Sequence, residues 1–240
     1  TAFRPDRAFY CEWKTFPDYM KILSKAAGQE ISDFSSLMGA LEKRLALFAE
    51  FGTTVSDNGI AHIAWEDYTA AQVEDIFRKA AAGERLSREA INRYKSAFLI
   101  EMAKLYKKYN FVMQLHIGTY LDANHRKVRE IGQSTGFDCV DDSTAVKSVR
   151  QILDRLTELD HLPKTILYPL NPAQMEPFAV LAAGFCDGTV RGKVQLGAPW
   201  WFNDQLGELV ERGEYFSDEK YLKDIIEGIC YRNVKEYFGW

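Results

Sequence analysis

Apolar residues recur along the first half of the chain with helical spacing. In Ser35–Phe51, leucine and phenylalanine return every three or four residues, which predicts an amphipathic helix. Thr69 is followed three residues later by Gln72, the spacing of a capping box, and therefore predicts the start of a second helix. Ser87 is expected to cap a longer amphipathic helix that follows.

Short continuous apolar runs then alternate with helical segments. The runs FVMQLHIG, KTILYPL and KVQLGAP predict strands that are buried on both faces of a sheet. Helices are expected between them, at 144–159 and 172–185. TTVSD predicts an earlier strand, and a further strand is expected to end at Arg4. This alternation predicts an α/β protein with a parallel sheet.

Polar or aromatic side chains follow each predicted strand. In parallel sheets the reacting groups collect at the carboxyl ends of the strands, so one pocket could gather these side chains. They are Arg4, Asp6, Asp57, Asn58, His116, Asn171, Trp200, Trp201, Asn203 and Asp204. A doubly wound nucleotide-binding sheet is the alternative, but no G-x-G-x-x-G or G-x-x-x-x-G-K-[ST] follows any predicted strand. The pattern favours a (β/α)8 TIM-type barrel.

The number of strands is too small for a closed barrel of this class. Eight strands are needed, whereas about five are visible. After WWFND the chain has a helical pattern throughout, without the expected final strand, which predicts a missing segment between Gln205 and Leu206. We also expect N-terminal strands to be missing before Arg4. Residues 1–240 are interpreted as a single, partial barrel domain.

Composition narrows the choice of partners and compartment. The chain is 27% charged with a formal net charge of -4, so no basic stripe is available and nucleic acid is not an expected partner. Its four cysteines form no C-x-x-C pair, which indicates reduced, mostly buried thiols in a cytoplasmic protein. Neither an export signal nor an apolar run long enough to cross a bilayer is visible, so no membrane partner is expected.

Several segments together carry a resemblance to a known family. They are FRPDRA (3–8), SDNG (56–59), MQLHIG (113–118), STGFD (134–138), LPKTILYPLNP (162–172), GKVQLGAPWWFND (192–204) and ICYRNVKEYF (229–238). In this order they resemble the bacterial uronate isomerases, also called glucuronate isomerases, an outlying branch of the amidohydrolase superfamily. MQLHIG and GAPWWFND are the most specific pieces.

The resemblance implies an activity and a cofactor. The activity is interconversion of D-glucuronate with D-fructuronate and of D-galacturonate with D-tagaturonate, so the partner is a small-molecule sugar acid. The implied cofactor is a divalent metal, zinc (Zn) by preference. The family's first-strand H-x-H pair and eighth-strand T-D-S-R segment have no counterpart here, and Asn58 stands where the family commonly has histidine. Assembly into a homo-oligomer is left open.

Aldose-ketose isomerisation requires a base, a group that polarises oxygen and a clamp for the carboxylate. His116 ends a buried strand and is the candidate metal ligand, with a core histidine bonded to a backbone carbonyl as the alternative. Arg4 offers paired donors that match a carboxylate. The alternative interpretation of Arg4 is a surface arginine that pairs with Asp6 or Glu12. Arg7 is a second, weaker candidate for the group that binds the carboxylate.

The remaining candidates are less specific. Asp57 is the candidate catalytic residue, as an acid or base or as a group that orients a neighbour, although a turn or cap role is common at such positions. Asn58, Trp200, Trp201 and Asn203 are candidate substrate-binding residues. Adjacent tryptophans in an extended segment point in opposite directions, so one of the two is expected in the core. His62, His125 and His161 receive no role.

A second class of function stays open beside the isomerase. It is a metal-dependent hydrolase of the same superfamily, or an inactive fragment that only folds and binds. Hydrolases of that superfamily typically carry more histidines on later strands, and LYPLNP offers none. This shortage favours the isomerase.

Overall fold

Four parallel strands form the sheet that positions the site. The computed structural model describes residues 1–133, 135–141, 145–197, 213 and 217–238. The strand order is β1-β2-β5-β6, with β1 at Asn58–Ile60, β2 at Met113–Ile117, β5 at Thr165–Pro169 and β6 at Val194–Leu196. All three pairings are parallel. The predicted α/β class with a parallel sheet is confirmed.

The chain also contributes a fifth extended segment at its first residues. Phe3 bridges Ser56 in parallel, and Val55 bridges Val112, so the segment before Arg4 lies beside the one that leads into β1. This matches the predicted strand ending at Arg4. Within the described residues the sheet is open at β6, and no closed barrel is seen there.

Helices precede, separate and follow the strands. They are α1 (Asp6–Phe9), α2 (Phe16–Ala27), α3 (Phe34–Glu50), α4 (Ala70–Ala81), α5 (Arg88–Lys108), α6 (His125–Ile131), α7 (Val146–Glu158), α8 (Met175–Ala183), α9 (Glu219–Glu227) and α10 (Asn233–Phe238). A 3-10 turn at Pro172–Gln174 precedes α8, and a π-helical stretch at Gly228–Arg232 joins α9 to α10. A small antiparallel pair, β3 (Thr119–Tyr120) with β4 (Cys139–Val140), was not predicted.

The predicted helix starts are set by side-chain caps. Thr69 and Gln72 form the expected reciprocal capping box, and the Ser87 hydroxyl accepts a hydrogen bond from the Ala90 N–H. These caps satisfy backbone donors that a first helical turn leaves without partners, which stabilises the helix by about 1 kcal/mol each. Both predicted helix starts are therefore confirmed.

Side chains on successive strand residues separate into two packed clusters. Leu115, Ile117 and Leu167 face the helices and belong to the main core, where Phe98 of α5 is fully buried. Burying a large apolar side chain of this kind contributes about 1.5–3 kcal/mol. On the opposite face, Val112, Ile166 and Tyr237 form a second, smaller cluster. The amino-terminal half of that face is therefore covered by α10.

Two expectations about the chain have different outcomes. The thiols were expected to be mostly buried. Cys11 is buried, but Cys139 and Cys186 are exposed. Cys139 lies in β4 and Cys186 follows α8, so both are outside the two packed clusters. The predicted break between Gln205 and Leu206 lies outside the described residues. No helix in the described ranges has both the length and the apolar character required to span a bilayer.

Candidate functional site

The carboxyl edge of the sheet brings three predicted site residues together. Because Phe3 pairs with Ser56, Arg4 lies beside Asp57, and the register of β1 with β2 brings His116 next to them. Asp57 Oδ1 lies 2.8 Å from His116 Nδ1, and Asp57 Oδ2 lies 3.3 Å from Arg4 Nη1. A single carboxylate thus contacts both the imidazole and the guanidinium.

A second carboxylate, that of Asp6 in α1, fixes Arg4 from the other side. Asp6 Oδ2 accepts hydrogen bonds from Arg4 Nε at 3.1 Å and Nη2 at 2.9 Å, and its Oδ1 accepts one from the Gly59 N–H at 3.1 Å. Glycine leaves room here, since a Cβ on Gly59 would lie 3.3 Å from Arg4 Nη2. Arg4 is therefore oriented by two carboxylates, although its side chain is 54% exposed.

The two carboxylates have opposite pKa shifts. The hydrogen bond from His116 lowers the pKa of Asp57, and the charge of Arg4 adds to this effect, while partial burial opposes it. Burial raises the pKa of Asp6, against the lowering effect of Arg4. Asp57 is therefore held as an anion at neutral pH, which suits a group that accepts the Nδ1–H proton of a neighbouring imidazole.

Tyr168 on β5 completes the cluster. It was not among the site residues predicted from the sequence. Its ring stacks on His116 with centroids 4.5 Å apart and an angle of 13° between the planes. Its hydroxyl accepts a hydrogen bond of 3.3 Å from Gln114 Nε2, and burial raises its pKa. His116 and Tyr168 occupy paired positions of neighbouring strands, so the register of β2 with β5 is the feature that could have identified Tyr168.

Gly197, just after β6, lies against the Tyr168 ring. A Cβ added to Gly197 would lie only 2.1 Å from Tyr168 Cε1 and 2.3 Å from its Cδ1. The φ angle of Gly197 lies outside the left-handed region, so the close approach of the ring, not the backbone, requires glycine here.

Gly197→Ala is expected to destabilise the protein by about 1–3 kcal/mol, because the added methyl group displaces the Tyr168 ring from its packed position. The free energy of unfolding is measured by urea denaturation. Tyr168→Ala removes the clashing ring, so Gly197→Ala is expected to cost much less in that background. Equal costs of Gly197→Ala in both backgrounds would contradict the contact.

Asn58 does not join the cluster. Its side chain is buried on the helix-facing side of β1, where Nδ2 donates to the Gln114 carbonyl at 2.9 Å and Oδ1 accepts from the Tyr106 hydroxyl at 3.1 Å. Asn171 caps the 3-10 turn instead, since its Oδ1 accepts from the Ala173 N–H. The predicted substrate-binding residues Trp200, Trp201 and Asn203 lie outside the described residues.

The donor set available for a metal is small. In the described ranges, no group of three or more histidine, cysteine, aspartate or glutamate side chains could hold a metal ion. His116 offers one imidazole, with Asp57 as the carboxylate that orients it, whereas zinc sites take three or four protein ligands. The described residues therefore do not form a zinc site by themselves.

Comparisons with known proteins point to one family. The profile of the family described as glucuronate isomerase matches residues 1–206. The uronate isomerase of Lachnospira eligens is 34% identical over 285 residues, covering 100% of this chain and 61% of the relative. That of Clostridium perfringens is 34% identical, covering 99% and 61%. The uronate isomerase structure from Thermotoga maritima superposes with a TM-score of 0.76 at 28% identity, covering 85% of this chain and 43% of the other.

The fold and the edge cluster define an α/β protein with a polar site at the carboxyl ends of parallel strands. The chain belongs to the glucuronate isomerase family. It spans about three fifths of the length of the curated relatives that it matches.

Proposed function

We propose that the protein is a uronate isomerase that interconverts D-glucuronate with D-fructuronate and D-galacturonate with D-tagaturonate. The observation that carries the proposal is the Arg4–Asp57–His116 cluster at the carboxyl edge, in a chain of this family. A guanidinium, a carboxylate and an imidazole are the group types that the clamp and the proton transfer require. Membership of the amidohydrolase superfamily is part of the same proposal.

Arg4 is the proposed clamp for the substrate carboxylate. Its Nε and one N–H of Nη2 are directed at Asp6, and Nη1 is directed at Asp57. A guanidinium has five N–H donors, so these contacts leave others for a ligand. The half-exposed side chain makes them accessible from the open edge of the sheet.

His116 and Asp57 are proposed to act as a pair in proton transfer. With Nδ1–H donated to Asp57, the imidazole carries its lone pair on Nε2. Nε2 takes the proton from C2 of the open-chain aldose and returns it to C1, while the O2 hydroxyl proton passes to O1. Asp57 orients the ring and stabilises the positive charge that forms on it. Asp57 is thus proposed as a positioning residue that acts through His116.

The parallel strands are proposed to belong to a (β/α)8 barrel, with residues 1–240 forming one partial barrel domain. Strands outside the described residues would complete it, including those expected before Arg4 and after Gln205. A cytoplasmic location and a homo-oligomeric assembly are further parts of the proposal. The location rests on the cysteine pattern, in which no C-x-x-C pair occurs. The number of copies in the assembly stays open.

As an alternative role for the same nitrogen, we propose that His116 Nε2 is one ligand of a divalent metal, zinc by preference, in a protein that carries the remaining ligands. The Nε2 lone pair then binds the metal, and the base that takes the C2 proton is another group. The 27.5 kDa chain is expected not to retain zinc through gel filtration, because one imidazole binds zinc weakly. Metal content is measured by mass spectrometry, with His116→Asn as the control. Stoichiometric zinc that is lost in His116→Asn would show that further ligands lie close to His116.

The function is tested by following conversion of D-glucuronate on a sample whose intact mass is known. A protein of 27.5 kDa is expected to show no turnover above background, because the implied metal pair and final strand are not among its residues. A longer protein that contains these residues is expected to turn over and to lose activity in His116→Asn. Turnover by the mass-verified 27.5 kDa chain would overturn the site assignment, and no turnover by the longer, zinc-loaded protein would overturn the function.

A further inference from the structure

An open cleft is lined in part by Arg7 of α1, the residue that follows Asp6 of the cluster in the sequence. It has a volume of about 710 Å³ and lies between the α1–α2 connection and the segments that flank α6. Its lining includes Arg7, Trp13, Lys14, Tyr19, Asp122 and Gln133. Small-molecule sites typically have volumes of roughly 300–1,000 Å³, so a ligand of monosaccharide size or somewhat larger fits.

Two cations of the cleft have no counter-ion among the described residues. Neither Arg7 nor Lys14 forms a salt bridge to any residue within the described part of the chain. Two acidic side chains of the same lining are already paired elsewhere: Glu12 with Lys95 at 2.5 Å, and Asp18 with Lys21 at 2.9 Å. Arg7 lies 5.9 Å from the ring of Tyr19, which holds it towards the cleft. Arg7 and Lys14 are therefore the side chains through which the cleft can bind an anion.

An aromatic platform lines the same cleft. The Trp13 indole is 40% exposed and stacks on Tyr10, with centroids 4.3 Å apart and planes within 2°. The Tyr10 hydroxyl donates to the Gly59 carbonyl at 2.8 Å and accepts from the Ala61 N–H at 3.0 Å. These bonds hold the platform rigid. An exposed, fixed indole face suits the apolar C–H face of a sugar ring.

We propose that this cleft is a second binding site for a hexuronate, separate from the carboxyl-edge cluster. The carboxylate binds Arg7 and Lys14, the ring stacks on Trp13, and Gln133 on the α6 side of the cleft exchanges hydrogen bonds with the hydroxyls. The choice of a sugar acid over other anions rests on the proposed function. A neutral sugar satisfies only the aromatic and hydroxyl contacts, so it binds more weakly.

The test is an NMR titration that follows the indole N–H signal of Trp13, assigned from the spectrum of Trp13→Phe. D-glucuronate is expected to shift this signal saturably, and methyl β-D-glucoside to shift it at least about tenfold more weakly, since it lacks the charged hydrogen bonds. The double variant Arg7→Gln/Lys14→Gln is expected to weaken glucuronate binding by a similar factor. Lys25→Gln, on α2 and outside the cleft lining, is the control.

Arg4→Gln separates this site from the proposed active site. The Trp13 titration is expected to be unchanged in Arg4→Gln, because Arg4 does not line the cleft. A Trp13 response that disappears in Arg4→Gln, or that is equal for glucuronate and the neutral glucoside, overturns the second site. Turnover without any Trp13 response overturns the second site alone. A Trp13 response without turnover by the longer protein overturns the proposed function and leaves this site standing.

Discussion

Asp57→Asn is expected to lower kcat for uronate isomerisation by about 10²–10⁴-fold in an active protein that carries these residues. Asp57 Oδ1 lies 2.8 Å from His116 Nδ1 and, in the proposed mechanism, accepts the proton that fixes the ring tautomer. The asparagine amide presents an N–H donor at this position as readily as a carbonyl, so the proton moves to Nε2. The nitrogen that should accept the substrate proton is then already protonated.

The measurement is kcat and KM for D-glucuronate across pH, together with the ¹⁵N shifts of His116 in the chain itself. We expect a large fall in kcat, a small change in KM and a shift of the proton from Nδ1 to Nε2. Asp154→Asn is the matched control. Asp154 forms an exposed ion pair with Arg150 on α7, and neither residue contacts Arg4, Asp57 or His116. A lower kcat with an unchanged His116 tautomer would show that Asp57 acts through packing alone.

The elements around the site could be predicted because their signals are local. The capping box at Thr69 and Gln72 occupies four residues, and the apolar runs of β2 and β5 are visible within five to seven. The position of His116 at the end of a strand followed directly from such a run. These features depend on neighbours in the chain, so one sequence is enough to find them.

The contacts of the site depend on pairing between distant segments. Tyr168 stacks on His116 only because β2 and β5 pair in one particular register, and Gly197 matters only because that ring lies against it. Nothing in the residues near Tyr168 indicates this arrangement. The pair of Arg4 with Asp6 is local, and it matches the alternative predicted for Arg4 from the sequence. The second contact of Asp6, with the Gly59 N–H, joins residues more than fifty positions apart and could not be predicted in this way.

One placement could have been predicted from strand geometry alone. Asp57 and Asn58 are neighbours in extended chain, and successive side chains of a strand point to opposite faces. Only one of them can face the site. The structure places Asp57 there, whereas Asn58 is buried among Ser56, Tyr106 and the Gln114 carbonyl.

Arg4→Lys is expected to weaken the handling of glucuronate by about 1.5–3 kcal/mol, or about 10- to 150-fold in kcat/KM, the range of a hydrogen bond to a charged group. The guanidinium contacts Asp6 through Nε and Nη2 and Asp57 through Nη1, so its plane is fixed before a ligand arrives. An ammonium group keeps the charge but has no paired donors in one plane, and it cannot reach both carboxylates while it binds a third.

The measurement compares kcat/KM for glucuronate and for glucose, which lacks the carboxylate, in wild type and Arg4→Lys. The clamp predicts a large loss for glucuronate and a small one for glucose, so that discrimination between the two falls. Arg150→Lys is the control for a general effect of the substitution, because Arg150 forms an exposed ion pair with Asp154 on α7. Equal losses for both substrates would show that Arg4 holds Asp6 and Asp57 in place without touching the substrate, and the carboxylate clamp would then have to be sought beyond the described residues.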